Sequence, residues 1–186
     1  MNNQKIVKSR GEKQLLLMIL AFAVPVILAK VLLTSGFRGE VTTHGGVLVN
    51  NPVSYQELAL DNPATGQWQM LYIAKNNCNE LCLERLGYVQ QTWRALGRLQ
   101  ERVTVVIATN NLRLLPAGDT GQHVPVKIIS LESLSTLNYD QQVVIVDPLG
   151  NLMMTFEFPN DHQQSLVIAH NILLDLKQLL KLSRIG

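Results

Sequence analysis

Met70-Leu71-Tyr72-Ile73-Ala74-Lys75-Asn76-Asn77-Cys78-Asn79-Glu80-Leu81-Cys82 is the stretch from which the rest of this 186-residue chain can be read. Its first five residues are apolar or aromatic, the composition of a buried strand. Its last five hold the only two cysteines in the chain, four positions apart. Beyond them, apolar residues at Cys82, Leu86, Val89, Trp93, Leu96 and Leu99 recur at spacings of three and four, one face of a helix. Arg85, Gln90, Arg94 and Arg98 are expected on its other faces. A strand ending in paired thiols at a helix start suits thiol chemistry. The dipole at a helix N-terminus stabilises a thiolate, making it a better nucleophile and a better ligand for a soft metal.

Working outward, residues 67–74 read as a largely buried strand entered through the turn Asn62-Pro63-Ala64-Thr65-Gly66. Residues 47–49 are a brief strand before it. Val103–Ala108 is a second strand, and its near-continuous apolar character suits a parallel, doubly covered position. The intervening helix makes this a strand–helix–strand unit with a right-handed crossover. Residues 109–125, punctuated by Pro116, Gly118, Gly121 and Pro125, read as a long loop. A short strand at 126–129 and a poor helix at 130–137 follow. Gln142–Val146 and residues 152–158 form a hairpin across the turn Asp147-Pro148-Leu149-Gly150-Asn151. Residues 164–182 are an amphipathic helix with Leu166, Ala169, Ile172, Leu173, Leu176, Leu179 and Leu180 on one side. Strand, helix, strand, irregular stretch, hairpin, helix is the order of a thioredoxin-like α/β domain, a mixed sheet flanked by helices.

Three parts are expected along the chain: a basic cytoplasmic segment at 1–14, a transmembrane helix at 15–33 and an exported domain at 34–186. Residues 15–33 are apolar except for Pro25 and Lys30. A helix of that length spans roughly 28 Å, close to a bilayer core. Lys5, Lys8, Arg10 and Lys13 precede it against Glu12 alone, which keeps the N-terminus cytoplasmic. The apolar run exceeds a signal-peptide core of about 7–15 residues and no Ala-x-Ala site follows, so an uncleaved anchor is expected. Residues 1–33 carry five of the sixteen basic residues and one of the fourteen acidic ones. The remainder, with eleven basic and thirteen acidic, is slightly acidic and gives no support for nucleic-acid binding.

The exported domain resembles the Sco/SenC/PrrC group, membrane-anchored thioredoxin-like proteins that help assemble the copper centre of cytochrome c oxidase. The resemblance rests on the anchor, the strand leading to Cys78-x-x-x-Cys82, the helix after it, and Val144-Ile145-Val146-Asp147-Pro148-Leu149-Gly150-Asn151. It implies an assembly factor or chaperone rather than a turnover enzyme. The two cysteines would do thiol–disulfide chemistry or bind Cu(I), with an oxidase subunit or a copper chaperone as partner. It further implies a bacterial inner membrane and a periplasmic domain. The chain departs from the family at Asn79 and Leu83, where prolines usually follow the cysteines. It departs again at Leu137-Asn138-Tyr139-Asp140-Gln141, where the family's copper histidine would fall. A divergent relative is expected, either active through its thiols or serving as an oxidase-associated scaffold that has lost the copper site.

Three readings of the cysteine pair stay open: a structural disulfide or inert thiols, redox exchange, and Cu(I) chelation. In a regular helix, Cβ atoms at i and i+4 are about 5–6 Å apart. A relaxed disulfide wants about 3.8 Å, so Cys78 must lie outside the helix, at its cap, for a bond to close easily. Two thiolates alone leave half of a zinc tetrahedron empty. His44, His123, His162 and His170 are scattered. His123, in the long loop, is the candidate third metal ligand beside Cys78 and Cys82. Met153 and Met154 read as core filling, and no hydrolase-type arrangement emerges.

Overall fold

The computed structural model describes residues 10–34, 43–74, 78–110, 124–130, 132–134, 137 and 139–186. They belong to two units, residues 1–42 and 43–186. In the first unit, helix α1 runs Arg10–Thr34 and contains Pro25. Its segment Gly11–Leu32 is long and apolar enough to cross a membrane. The helix begins before residue 15 because charge does not end a helix, and Lys, Arg and Glu are good helix formers. At its far end the Thr34 hydroxyl donates to the Lys30 carbonyl at 2.9 Å and the Val31 carbonyl at 3.1 Å.

The second unit is ordered β1 (Val47–Leu48), β2 (Trp68–Ile73), α2 (Glu80–Ala95), a 3-10 helix (Gly97–Arg102), β3 (Val103–Ala108), β4 (Val126–Ile129), a 3-10 turn (Glu132–Leu134), β5 (Gln142–Val146), β6 (Leu152–Glu157) and α3 (His162–Leu182). The strands make one six-stranded sheet in the order β1-β6-β5-β2-β3-β4. β2 and β3 pair in parallel with Met70 beside Val105, and β4 extends the parallel part. β5 runs antiparallel to both β2 and β6. The thioredoxin-like α/β architecture expected from the sequence is present. In the hairpin turn, Asp147 Oδ1 accepts from the Leu149 and Asn151 amides at 2.9 and 2.8 Å. Gly150 takes the left-handed backbone (φ +95°) that the turn requires.

Every residue of β2 and β3 is buried, so both faces of the sheet are covered. Trp68, Met70 and Tyr72 face Leu86, Val89 and Trp93 of α2 and Ile172, Leu176 and Leu180 of α3. Leu71 and Ile73 face the opposite layer, where Tyr55, Leu58, Leu60, Leu134 and Tyr139 cover them. That second layer is held by a polar contact inside the central strand. Gln69 is fully buried, accepts from the Tyr55 hydroxyl at 3.0 Å and donates to Asn62 Oδ1 at 2.8 Å. Burial pushes the Tyr55 hydroxyl pKa far up.

Several expectations need adjustment. Of the helix expected at 130–137, the described residues show only the turn Glu132–Leu134. Most of the expected loop, residues 111–123, lies outside the described residues, and His123 with it. The last helix starts two residues earlier than its apolar pattern because Asp161 caps it, accepting from the Gln164 amide at 2.8 Å. Arg85, expected on an outer face of α2, is buried at 5% exposure. Leu166, expected on the packed side of α3, is exposed.

Asp175, on α3, is also buried. It accepts from the His44 amide at 2.8 Å, His44 Nδ1 at 2.7 Å and the Gly46 amide at 3.3 Å, fixing the segment that leads into β1. Asp175→Ala leaves those amides without their acceptor. A loss of about 1–3 kcal/mol is expected, read as a lower urea midpoint with an unchanged m-value. A midpoint equal to wild type would contradict this anchoring role.

Candidate functional site

The cysteines sit where the parallel strand β2 hands over to α2. Asn79 is the N-cap of α2: its backbone is extended and its side-chain oxygen accepts from the Cys82 amide at 3.1 Å. The first intrahelical bond runs from the Leu83 amide to the Asn79 carbonyl. Cys78 is therefore outside the helix and Cys82 is its third residue. This is the cap arrangement under which a CxxxC can close, and Cys78 and Cys82 are joined by a disulfide with Cα atoms 5.0 Å apart. Asn79 stands where the resembling family has proline, and it terminates the helix with a side-chain acceptor instead. Both sulfurs lie at the positive end of the α2 dipole; Glu80, at the first helical position, stabilises that helix end while its negative charge offsets part of the positive field.

The two sulfurs differ in access. Cys82 is 1% exposed within the main core, whereas Cys78 is half-buried and packs against that core. The Tyr72 hydroxyl donates to the Cys82 carbonyl at 3.4 Å. Burial pushes the Tyr72 pKa up to about 12, Arg85 pulls it down and Asp140 pushes it up.

Arg85 lies one turn beyond Cys82. Its guanidinium donates to Gln141 Oε1, to the Phe158 and Pro159 carbonyls at 3.1 and 3.2 Å, and to Asn160 Oδ1 at 3.0 Å. Gln141 is in the left-handed region (φ +54°), and its amide donates to the Ile73 carbonyl at the end of β2. Arg85, Asp140, Gln141, Glu157, Phe158 and Asn160 line a polar cavity of about 240 Å³. It lies at the edge where β2 and β3 end, the same edge from which the cysteines emerge. The sequence carried a signal for Arg85: counting i+3 from Cys82 places it on the packed seam.

Among the described residues, no histidine joins the two cysteines in a metal-binding group. His44 is bound to Asp175. His162 opens α3, with Nδ1 2.5 Å from Glu84 Oε1 and 2.6 Å from the Tyr88 hydroxyl. These two contacts, with the Tyr88–Glu84 bond at 2.6 Å, tie the N-terminal ends of α2 and α3 together. They hold the Glu84 carboxyl below its usual range, the Tyr88 bond contributing most. The Tyr88 hydroxyl is pushed up to about 12, first by burial and then by Glu84. His170 is exposed. Met154 and Met153 belong to the core packing. Among the described residues, no three His, Cys, Asp or Glu side chains come together to hold a metal ion. Cys78 and Cys82 thus offer two sulfur donors without a third from the described residues.

Residues 68–183 match the family model described as the transmembrane-like, thioredoxin-like C-terminal domain. Among solved structures, the chain is similar to apo Sco1 from Thermus thermophilus. That likeness has 13% identity and a TM-score of 0.52, covering 76% of this chain and 99% of that one. It is also similar to Bradyrhizobium japonicum ScoI with copper bound, at 10% identity and a TM-score of 0.39, covering 70% of this chain and 98% of that one. No curated protein matches the chain in sequence. The likeness to Sco1 is one of fold, and the resemblance read from the sequence is borne out at that level.

Two outcomes follow from the cap geometry. Asn79→Ala removes the acceptor for the Cys82 amide and lowers stability by about 1 kcal/mol in chemical denaturation of the reduced protein. In the reduced native protein, iodoacetamide modifies Cys78 well before Cys82, read by peptide mass spectrometry. Equal modification rates would contradict the assigned difference in access.

Proposed function

The chain belongs to the family of transmembrane-like, thioredoxin-like C-terminal domains, and we propose that it is a membrane-anchored thiol–disulfide exchange protein serving cytochrome c oxidase assembly. Its working residues are Cys78 and Cys82, and its partner is an oxidase subunit or a copper chaperone carrying two thiols. The observation that carries this reading is the asymmetric pair at the capped start of α2, a reachable sulfur outside the helix bonded to a buried one inside it. The oxidase context draws on the sequence resemblance to the Sco/SenC/PrrC group. The basic residues before the apolar helix support a domain on the outer face of a bacterial inner membrane, an oxidising space suited to such chemistry.

The exchange balances in two steps. A partner thiolate attacks Cys78 Sγ, the Cys78–Cys82 bond breaks, and Cys82 leaves as a thiolate. A second partner thiolate then attacks the partner sulfur of the mixed disulfide, and Cys78 leaves as a thiolate. Two electrons pass from the partner dithiol to the pair, and the reverse sequence reduces a partner disulfide. Cu(I) enters this reading as cargo: the reduced pair presents two soft thiolates, and any third donor comes from a partner or from outside the described residues.

Cys82→Ser leaves Cys78 without its resolving thiol and should accumulate a mixed disulfide with the partner, visible on non-reducing gels and absent in Cys78→Ser. The double serine variant, replacing the native gene, should lower oxidase activity. Retained activity together with no trapped partner would overturn the exchange reading and favour the scaffold, whose support is that no third metal donor joins the pair among the described residues.

A further inference from the structure

We infer that Arg85 is a positioning residue for the cysteine pair: its buried guanidinium stabilises the negative charge that arrives on the Cys82 sulfur when the disulfide opens, making the pair a stronger oxidant. This rests on the exchange reading and deepens it. Arg85 follows Cys82 by three positions on one buried helical face, where neighbouring Cβ atoms are about 5–6 Å apart. Helical side chains lean toward the N-terminus, so Arg85 leans toward the cysteine turn. Its hydrogen-bond partners are all neutral: the Gln141 and Asn160 side chains and the Phe158 and Pro159 carbonyls.

Among the described residues the ion pairs are His44–Asp175 and His162–Glu84; no carboxylate pairs with Arg85. Glu80 and Glu84 lie on the same helix, Tyr72 on β2, and Asp140 and Glu157 line the cavity beside it. A buried cation without a counter-ion is costly. Asp140, Glu157 and Glu84 form no ion pair with Arg85, and the open, reduced state adds a negative charge at buried Cys82 that the disulfide state lacks. The Tyr72 hydroxyl, which donates to the Cys82 carbonyl, has its pKa raised by burial, with Arg85 lowering it and Asp140 raising it.

The test uses the full chain in detergent micelles, equilibrated with reduced and oxidised glutathione, the disulfide fraction being read by alkylation mass shift. Arg85→Gln should shift the equilibrium toward the disulfide by on the order of tenfold, a reduction potential more negative by about 30 mV. Arg85→Lys keeps the charge but cannot reproduce the four-acceptor fork, and should stay near wild type. Arg85→Met, of similar length and uncharged, repeats the measurement if the glutamine variant does not fold. If the lysine variant shifts with the uncharged ones, Arg85 acts through its hydrogen bonds alone and the inference falls. An unchanged constant in the uncharged variants also overturns it, while leaving the exchange reading intact. A wild-type pair that never exchanges with glutathione overturns the exchange reading itself, and this inference with it.

Discussion

The central strand β2 is covered on both sides, and the rest of the domain is arranged around that constraint. Its side chains alternate between two apolar layers, and neither layer can meet water. One layer requires the two helices α2 and α3. The other requires Tyr55, its neighbours and the stretch before β5. A parallel neighbour, β3, can be reached from β2 only through a crossover, so α2 must start close to the end of β2. The cysteines occupy that start. Their place at the strand-to-helix handover is thus a consequence of core packing, and the chemistry is fitted onto it.

Asn79 then decides what the pair can be. An N-cap residue has extended backbone while the next residues are helical, so the chain bends sharply between Cys78 and Cys82. The bend brings the two Cα atoms to 5.0 Å, inside the range a disulfide accepts. It also splits the sulfurs into a reachable one and a buried one. Opposite the pair, Glu84, Tyr88 and His162 bind the start of α2 to the start of α3. The helix end that carries the thiols is therefore fixed by a cap on one side and a side-chain clamp on the other.

Strands β2 to β6 and the two domain helices were legible in the sequence because each buries a regular pattern: continuous apolar runs in β2, β3 and β5, and a helical stripe in α2 and α3. The cysteine site was legible for the same reason, since it abuts those runs. Arg85 and Asp175 were missed because hydropathy places charged residues outside, and their burial depends on acceptors and donors far away in sequence. Arg85 needs the 158–160 carbonyls and side chain, and Asp175 needs the amides of His44 and Gly46. The start of α3 moved by two residues because a cap, Asp161, sets a boundary that an apolar stripe does not register.

The stretch before β5 ties these observations together. The group that the chain resembles has its copper histidine in this stretch, and the sequence departs from it there. The chain instead places Gln141 in a left-handed backbone conformation that a residue with a side chain adopts at a cost. Two contacts compensate for it: the Gln141 amide bonded to Ile73, and the Gln141 side chain bonded to Arg85. The stretch therefore anchors the Arg85 guanidinium, three residues along α2 from Cys82. The residue that closes the strand edge beside the cysteine turn is thus tied into the sheet and into α2 at once, through one backbone and one side-chain contact.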